Sequence, residues 1–392
     1  MTPAARVQAA IEIVDSVIES ARSSGPPADR IAAEWFRTRR FAGSKDRRAV
    51  RELVYGAIRC CGELPLSGRA AMLRLAELQP ELAALFDGSV HGPGSVRPDE
   101  QAAAGGLAPR WLEQALAQSG IAGEEAAALL ERAPLDIRVN TLRASRESLE
   151  LLVSGEVTPA PQGFRLPAGT PVEQWDAWKQ GWIEVQDAGS QLACLALDAQ
   201  PGETIVDLCA GAGGKTLAIA AAMEDRGRLF ACDTDRGRLS RLPPRAQRAG
   251  VTIAETLLLD PGREHSALAE LAGCVDAVLV DAPCSGSGTW RRNPEARWRL
   301  DERQLARHTA LQARLLDVAA GLVRPGGRLV YVTCSLLDAE GTGQADTFLA
   351  RHAGWQAELP DLGAGETRGK GVRLSPLRDG TDGFYIARFL RI

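Results

Sequence analysis

A chain of 392 residues, 45% hydrophobic and 24% charged, is long enough for two or three ordinary domains with sizeable cores. No run approaches the roughly 20 apolar residues that would span a bilayer, and Arg6, Glu12, Asp15 and Glu19 interrupt any signal-peptide pattern, so a cytoplasmic protein with no membrane partner is expected. A net charge of −4 argues against nonspecific coating of nucleic acid, and neither the eight cysteines nor the four histidines show disulfide-framework or metal-ligand spacing, so reduced thiols and no metal are expected.

Residues 1–130 read as helical, because Val7, Ile11, Val14 and Ile18 recur at helical spacing and the alanine-rich stretches that follow hold few strand formers. Gly25-Pro26-Pro27 breaks the pattern, and Asp87 to Pro98 reads as a loop. Arg37, Arg39, Arg40, Lys45, Arg47, Arg48 and Arg51 form a basic stretch with Asp46 as its only acid, which fits either a solvated helix face or a contact with RNA. Residues 131–185 read as a small α+β segment, with a strand over Asp136 to Asn140 and turns forced by Pro159, Pro161, Pro167 and Pro171.

From residue 186 to 392 short apolar runs alternate with helical stretches: Thr204 to Leu208, Arg228 to Asp233, Val251 to Leu258, Val275 to Asp281 and Arg328 to Thr333. Val278, Leu279 and Val280 are too uniformly apolar for a strand with one wet face, so the pattern predicts a parallel sheet covered by helices on both faces, an α/β Rossmann-like fold. A helix over 302–323 fits as a crossover, stopped by Pro325-Gly326-Gly327.

Ligands of such sheets bind beyond the carboxyl ends of the strands. The first of these strands ends in Asp207-Leu208-Cys209-Ala210-Gly211-Ala212-Gly213-Gly214-Lys215-Thr216, a glycine-rich turn leading into a helix. A phosphate-binding P-loop would need glycine where Cys209 stands, and the dinucleotide fingerprint would need a third glycine where Thr216 stands. An adenosyl ligand without pyrophosphate survives, with Asp233 at the end of the next strand placed to accept its ribose hydroxyls, against the alternative of a helix cap.

Two further strands run into Asp281-Ala282-Pro283-Cys284-Ser285 and Thr333-Cys334-Ser335, so Cys284 and Cys334 are both expected at the ligand face, whereas Cys194, Cys232 and Cys274 read as small buried hydrophobes. Carbon 5 of a pyrimidine is too weak a nucleophile to accept a methyl group unaided, and thiolate addition at carbon 6 converts it into an enamine-like nucleophile. A thiol of pKa about 8.5 is only partly ionised at neutral pH, so positive charge near Lys215 or a sulfonium cofactor would help, and a base is needed afterwards to release carbon 5's proton and the thiol.

On these motifs the chain resembles the RNA 5-methylcytosine methyltransferases of the RsmB (Sun) family. The resemblance rests on Leu135 to Arg143, Gln186-Asp187-Ala188-Gly189-Ser190, the two cysteine motifs, Arg291-Arg292-Asn293-Pro294 and Asp382-Gly383-Phe384-Tyr385. It implies a class I methyltransferase domain over 186–392 that uses S-adenosyl-L-methionine. Cys334 would be the nucleophile on carbon 6, Cys284 would assist product release, and Asp281 would contact the target cytosine at nitrogen 3, beside the cofactor. In the same reading Cys209, Ala210, Gly211, Ala212, Gly213, Gly214 and Lys215 cradle the methionine portion, Asp233 binds the ribose and Asp260 lies near the adenine.

The helical region, through Phe41-Ala42-Gly43-Ser44-Lys45-Asp46-Arg47-Arg48 and Val54-Tyr55-Gly56, looks like the NusB-like module of the RsmB subgroup, which implies RNA contact by the basic stretch; residues 131–185 look like an RNA-recognition-like subdomain. Ribosomal RNA is then the favoured partner, and a monomer is expected. Ala212 stands where the family commonly has proline, and Gly341, after Glu340, where asparagine is frequent. Transfer RNA as substrate, a noncatalytic RNA-binding protein and a small-molecule methyltransferase remain as alternatives.

Overall fold

The computed structural model describes residues 1–23 and 25–392 and divides into two compact units, the first comprising Met1–Arg132 with Thr289–Glu302, the second Ala133–Gly288 with Arg303–Ile392. Among the described residues no helix is long and apolar enough to cross a membrane.

The first unit is helical: α1 (Pro3–Ser23), α2 (Ala28–Thr38), α3 (Ser44–Cys60), α4 (Gly68–Leu78), α5 (Arg110–Gln118) and α6 (Gly123–Ala128). The periodic Val7, Ile11, Val14 and Ile18 face a core shared with Phe36, Val54, Ile58 and Met72. Within the basic stretch Arg37 pairs with Glu34, and Arg39 reaches Glu12 while lying 4.3 Å from the Trp35 ring centroid. Asp46 is taken by Arg6, which leaves the exposed Arg40, Lys45 and Arg48 without an acidic partner among the described residues.

Thr289–Glu302, far away in sequence, completes this unit. Glu295 Oε1 accepts the Ala28 N–H at the start of α2, at 2.9 Å. The Arg297 guanidinium, fully buried, donates to the carbonyls of Ile58 and Cys61 at the end of α3, at 2.7 and 2.8 Å. An acid therefore meets the positive end of one helix and a cation the negative end of another. Burial lowers the Arg297 pKa to about 10, still high enough to keep the guanidinium charged.

The second unit opens with a four-stranded antiparallel sheet, order β2 (Glu156–Val157), β3 (Gly163–Leu166), β1 (Leu135–Val139), β4 (Ile183–Val185), over a small core of Ile137, Leu166, Val172, Trp175 and Ile183 that is completed by the short α7 (Asp176–Lys179). Asp136 ties this sheet to the next helix, α8 (Ala188–Leu195), by accepting the Ala188 N–H at 3.1 Å while pairing with Arg165. Buried Glu184 on β4 binds both Arg245 and Arg248 of the following domain.

The large sheet is built from β5 (Thr204–Asp207), β6 (Arg228–Asp233), β7 (Ala254–Leu258), β8 (Val275–Asp281) and β9 (Val323–Thr333), parallel in the order β9-β8-β5-β6-β7. The helices α9 (Gly214–Ala222), α10 (Arg236–Leu239), α11 (Leu242–Ala249), α12 (Glu264–Ala267) and α13 (Glu302–Leu322) connect these strands. Strand order reverses at β5, from which the chain proceeds to β6 and β7 on one side and returns to β8 and β9 on the other, so a crevice opens at the carboxyl ends of β5 and β8.

Two strand edges differ from the sequence expectation. β7 starts at Ala254 rather than Val251, and β9 starts at Val323, because the register against β8 jumps from the Val275–Val323 pair to the Ala277–Arg328 pair and leaves Arg324–Gly327 as a bulge. After α14 (Thr342–Arg351) and β10 (Trp355–Glu358), the antiparallel β11 (Glu366–Arg368), β12 (Gly371–Leu374), α15 (Pro376–Asp379) and β13 (Phe384–Arg391) extend the sheet beyond β9. Apolar clusters line both faces: Leu192, Ile205, Leu217 and Leu279 on one, Val206, Val278, Val280, Leu316 and Tyr331 on the other.

Candidate active site

The glycine-rich turn after β5 is held by its own backbone. Gly211 has φ +57° and Gly213 φ +85°, both left-handed, and a Cβ added at Gly213 would lie 2.2 Å from Leu242 Cδ1. At Gly211 and Gly214 an added Cβ would meet nothing within 4 Å, so the turn leaves open space over these two residues. Ala210 N–H bonds the Cys232 carbonyl at 2.9 Å, and the Ala212 carbonyl accepts from Arg245 at 2.6 Å.

Three carboxylates stand at the neighbouring strand ends. Asp233, ending β6, accepts the Gly211 N–H at 2.7 Å and the Asp235 N–H at 2.7 Å, so it fixes the turn as well as facing the crevice. Asp281, ending β8, accepts from Lys215 Nζ at 2.7 Å. Asp207, ending β5, is fully buried and accepts the Thr216 hydroxyl at 2.7 Å. Burial raises its pKa to about 7, with the Thr216 bond opposing and Asp281 adding to the rise. Asp260 is exposed just past β7.

Burial is the largest single influence on the Lys215 ammonium and disfavours it, but the charge and hydrogen bond of Asp281 together with the nearby cysteines turn the net shift upward. Lys215 is thus a fixed cation beneath the crevice, engaged by Asp281, and its Nζ also sits 5.7 Å from the Phe384 ring centroid. Phe384 belongs to Asp382-Gly383-Phe384-Tyr385, which brings the start of β13 to the site.

Cys284 Sγ and Cys334 Sγ lie 3.4 Å apart, each half-buried. The loops that carry them are stitched together: the Cys334 carbonyl accepts the Gly288 N–H at 3.0 Å, and the hydroxyls of Ser285 and Ser287 reach that of Ser335 at 3.1 and 3.2 Å. The bond with Cys334, reinforced by burial, holds the Cys284 thiol well above the ordinary thiol range. Cys209 is likewise pushed well up, by burial and then by Asp281, which suits a thiol that packs rather than reacts. Cys232 is buried as expected and Cys194 partly so, but Cys274 is exposed, because it lies in the turn ahead of β8 rather than inside the strand.

The structure therefore brings Cys284, Cys334, Asp281, Lys215 and the 209–214 turn to adjoining strand ends, with Asp233, at the end of β6, bonded to the same turn and Asp260 further along the sheet edge. Asp207 carried a strand-end signal that went unused. Glu340, fully buried, and Gln312 on α13 had no motif to mark their proximity to the cysteine loop. At Gly341, after Glu340, an added Cβ would lie 3.0 and 3.1 Å from Tyr385 ring atoms, a tight contact. Among the described residues no group of three or more His, Cys, Asp or Glu could hold a metal ion.

Residues 194–390 match the family model described as 16S rRNA methyltransferase RsmB/F. The chain is similar to the probable ribosomal RNA small subunit methyltransferase B of Synechocystis sp., 41% identical over 62% of this chain and 56% of that protein. It is also similar to the ribosomal RNA small subunit methyltransferase B of Pectobacterium atrosepticum, 38% identical over 67% of this chain and 60% of that one. The matched stretch thus spans less than two thirds of either relative. The solved structure of PH0851 superposes with a TM-score of 0.74 and 26% identity over 99% of both chains. With a class I methyltransferase sheet carrying paired cysteines and a family match over half its length, the chain belongs to the 16S rRNA methyltransferase RsmB/F family.

Proposed function

We propose that the protein is an S-adenosyl-L-methionine-dependent RNA (cytosine-5) methyltransferase acting on small-subunit ribosomal RNA. The observation that carries this reading is the 3.4 Å approach of Cys284 and Cys334 beside the Lys215–Asp281 pair. The relatives' names support ribosomal RNA over transfer RNA.

The turn suits the cofactor. Space over Gly211 and Gly214 admits a ligand close to the backbone, and Asp233, held beside the turn by the Gly211 N–H, would accept the ribose hydroxyls. When bound, the cofactor supplies an electrophilic methyl group.

The Cys284 thiol, kept protonated, can donate a hydrogen bond to Cys334 Sγ. Cys334 Sγ adds to carbon 6 of cytosine, and the electron pair released toward carbon 5 forms the new bond to the methyl carbon as its bond to sulfur breaks. Asp281, fixed by Lys215, holds the base at its nitrogen 3 edge. The carbon 5 proton then passes to water, its electron pair re-forms the carbon 5–carbon 6 double bond, and the carbon 6–sulfur pair returns to Cys334 Sγ, whose departure the Cys284 thiol assists by donating a hydrogen bond to it. The target base must be unstacked to reach these groups. The exposed Arg40, Lys45 and Arg48 and the small antiparallel sheet are the surfaces that would engage RNA phosphates and the strand around the target.

Two variants test the assignment. Cys334→Ala is expected to abolish methyl transfer while cofactor binding persists, and Cys284→Ala to accumulate a denaturation-resistant protein–RNA adduct. A fully active Cys334→Ala enzyme would sink the mechanism.

A further inference from the structure

Cys284 is bracketed on both sides by one buried side-chain pair. Gln312 Nε2, on α13, donates to the carbonyl of Pro283, the residue before Cys284, at 2.9 Å, and to Glu340 Oε1 at 3.0 Å. The same Glu340 Oε1 accepts the N–H of Ser285, the residue after Cys284, at 2.9 Å. Gln312 and Glu340 are both completely buried, and the Glu340 carbonyl accepts the Tyr331 hydroxyl at 2.8 Å, which anchors that end of the bracket to β9. A Pro-Cys-Ser turn has few backbone bonds of its own, because proline lacks an N–H. The bracket supplies one bond to each flank.

From this geometry we infer that Gln312 is a positioning residue which, through Glu340, sets the distance of Cys284 Sγ from Cys334 and thereby governs release of the methylated product. The inference rests on the assignment of Cys284 to product release. Nothing in the bracket touches the 209–214 turn or Asp233, so cofactor binding lies outside its reach. Glu340 shares its loop with Cys334, but the Cys334 carbonyl is held separately by the Gly288 N–H, whereas Gln312 bonds the Cys284 flank directly, so losing Gln312 bears on release more than on addition. A side chain displaced by an ångström or so from the reacting atoms loses on the order of 100-fold in rate.

The test compares wild type, Cys284→Ala, Gln312→Met and Glu340→Gln in single-turnover assays with labelled cofactor and RNA substrate, following methyl transfer, free product and denaturation-resistant adduct. Gln312→Met keeps the side-chain length and removes both bonds. It is expected to leave cofactor affinity and the first methyl transfer near wild type while slowing product release by about 10–100-fold, with adduct accumulating. Glu340→Gln keeps an acceptor for both bonds and is expected to show less adduct than Gln312→Met. If Gln312→Met lacks a cooperative thermal transition, Gln312→Asn, too short by one methylene to reach both partners, gives the same readout.

Wild-type release by the Gln312 variant, alongside an adduct in Cys284→Ala, would overturn the inference and leave the proposed function standing. No adduct in Cys284→Ala would overturn the release role of Cys284 and the inference with it.

Discussion

Lys215 Nζ donates to Asp281 Oδ2 at 2.7 Å, joining the glycine-rich turn after β5 to the end of β8, one strand away. The pair fixes the acid that would face the base and leaves the turn's cation neutralised locally. Replacing Lys215 with methionine removes the partner of a half-buried carboxylate, which then loses its orientation. Methyl transfer is expected to fall by about 10–100-fold with modest loss of stability. Rates of single turnover measured across pH, for wild type and Lys215→Met, check this.

Asp207 makes stability depend on pH. Its folded pKa of about 7 exceeds that of an unfolded aspartate, so between about pH 4 and 7 the folded state binds the extra proton and stability falls as pH rises. The effect levels off above the folded pKa. Asp207→Asn keeps an acceptor for Thr216 and removes the titration. The variant's melting temperature relative to wild type is expected to rise between pH 5 and pH 8, by an amount on the order of 2–4 kcal/mol in stability. A constant difference across that range would contradict the assignment.

The glycines of the turn differ in what they tolerate. Gly213→Ala must place a Cβ at φ +85° and 2.2 Å from Leu242 Cδ1, whereas Gly211→Ala meets only the left-handed φ of +57°. Gly213→Ala is expected to cost about 2–3 kcal/mol and Gly211→Ala about 1. Gly211→Ala, intruding on the open space, should weaken cofactor binding more than its stability cost implies. Thermal melts and calorimetric titration with the cofactor separate the two.

Arg297 caps α3 from a segment more than 200 residues away. Arg297→Met strands the buried carbonyls of Ile58 and Cys61, at a cost of about 2–4 kcal/mol. Faster amide exchange in the last turns of α3, with the sheet of the second unit unaffected, is the expected signature.

The β5, β6 and β8 runs were legible because uniformly apolar strands between helices have few other readings, and Arg228–Asp233 and Val275–Asp281 fall where the pattern put them. The strand-end motifs followed from that, since the residue after each strand is fixed by chain direction. Features that depend on distant partners were not legible. The bulge at Arg324–Gly327 is dictated by pairing with β8, and a Pro-Gly-Gly sequence alone reads as a stop. β13 lies between β9 and β12, antiparallel to both, and no local periodicity announces such a place. Thr289–Glu302 carries Arg297 and Trp298 into the helical core, although its neighbours in sequence belong to the other unit. Gln312 carries no local signal, because its bonds run to Pro283 and Glu340, which are distant in sequence.

The central claim is the identity of the methylated atom. Purified protein is incubated with radiolabelled S-adenosyl-L-methionine and small-subunit ribosomal RNA lacking its modifications, and the RNA is digested to nucleosides. The account predicts label in 5-methylcytidine, absent with Cys334→Ala. Label in another nucleoside, or none in RNA from protein shown to bind the cofactor, would contradict it.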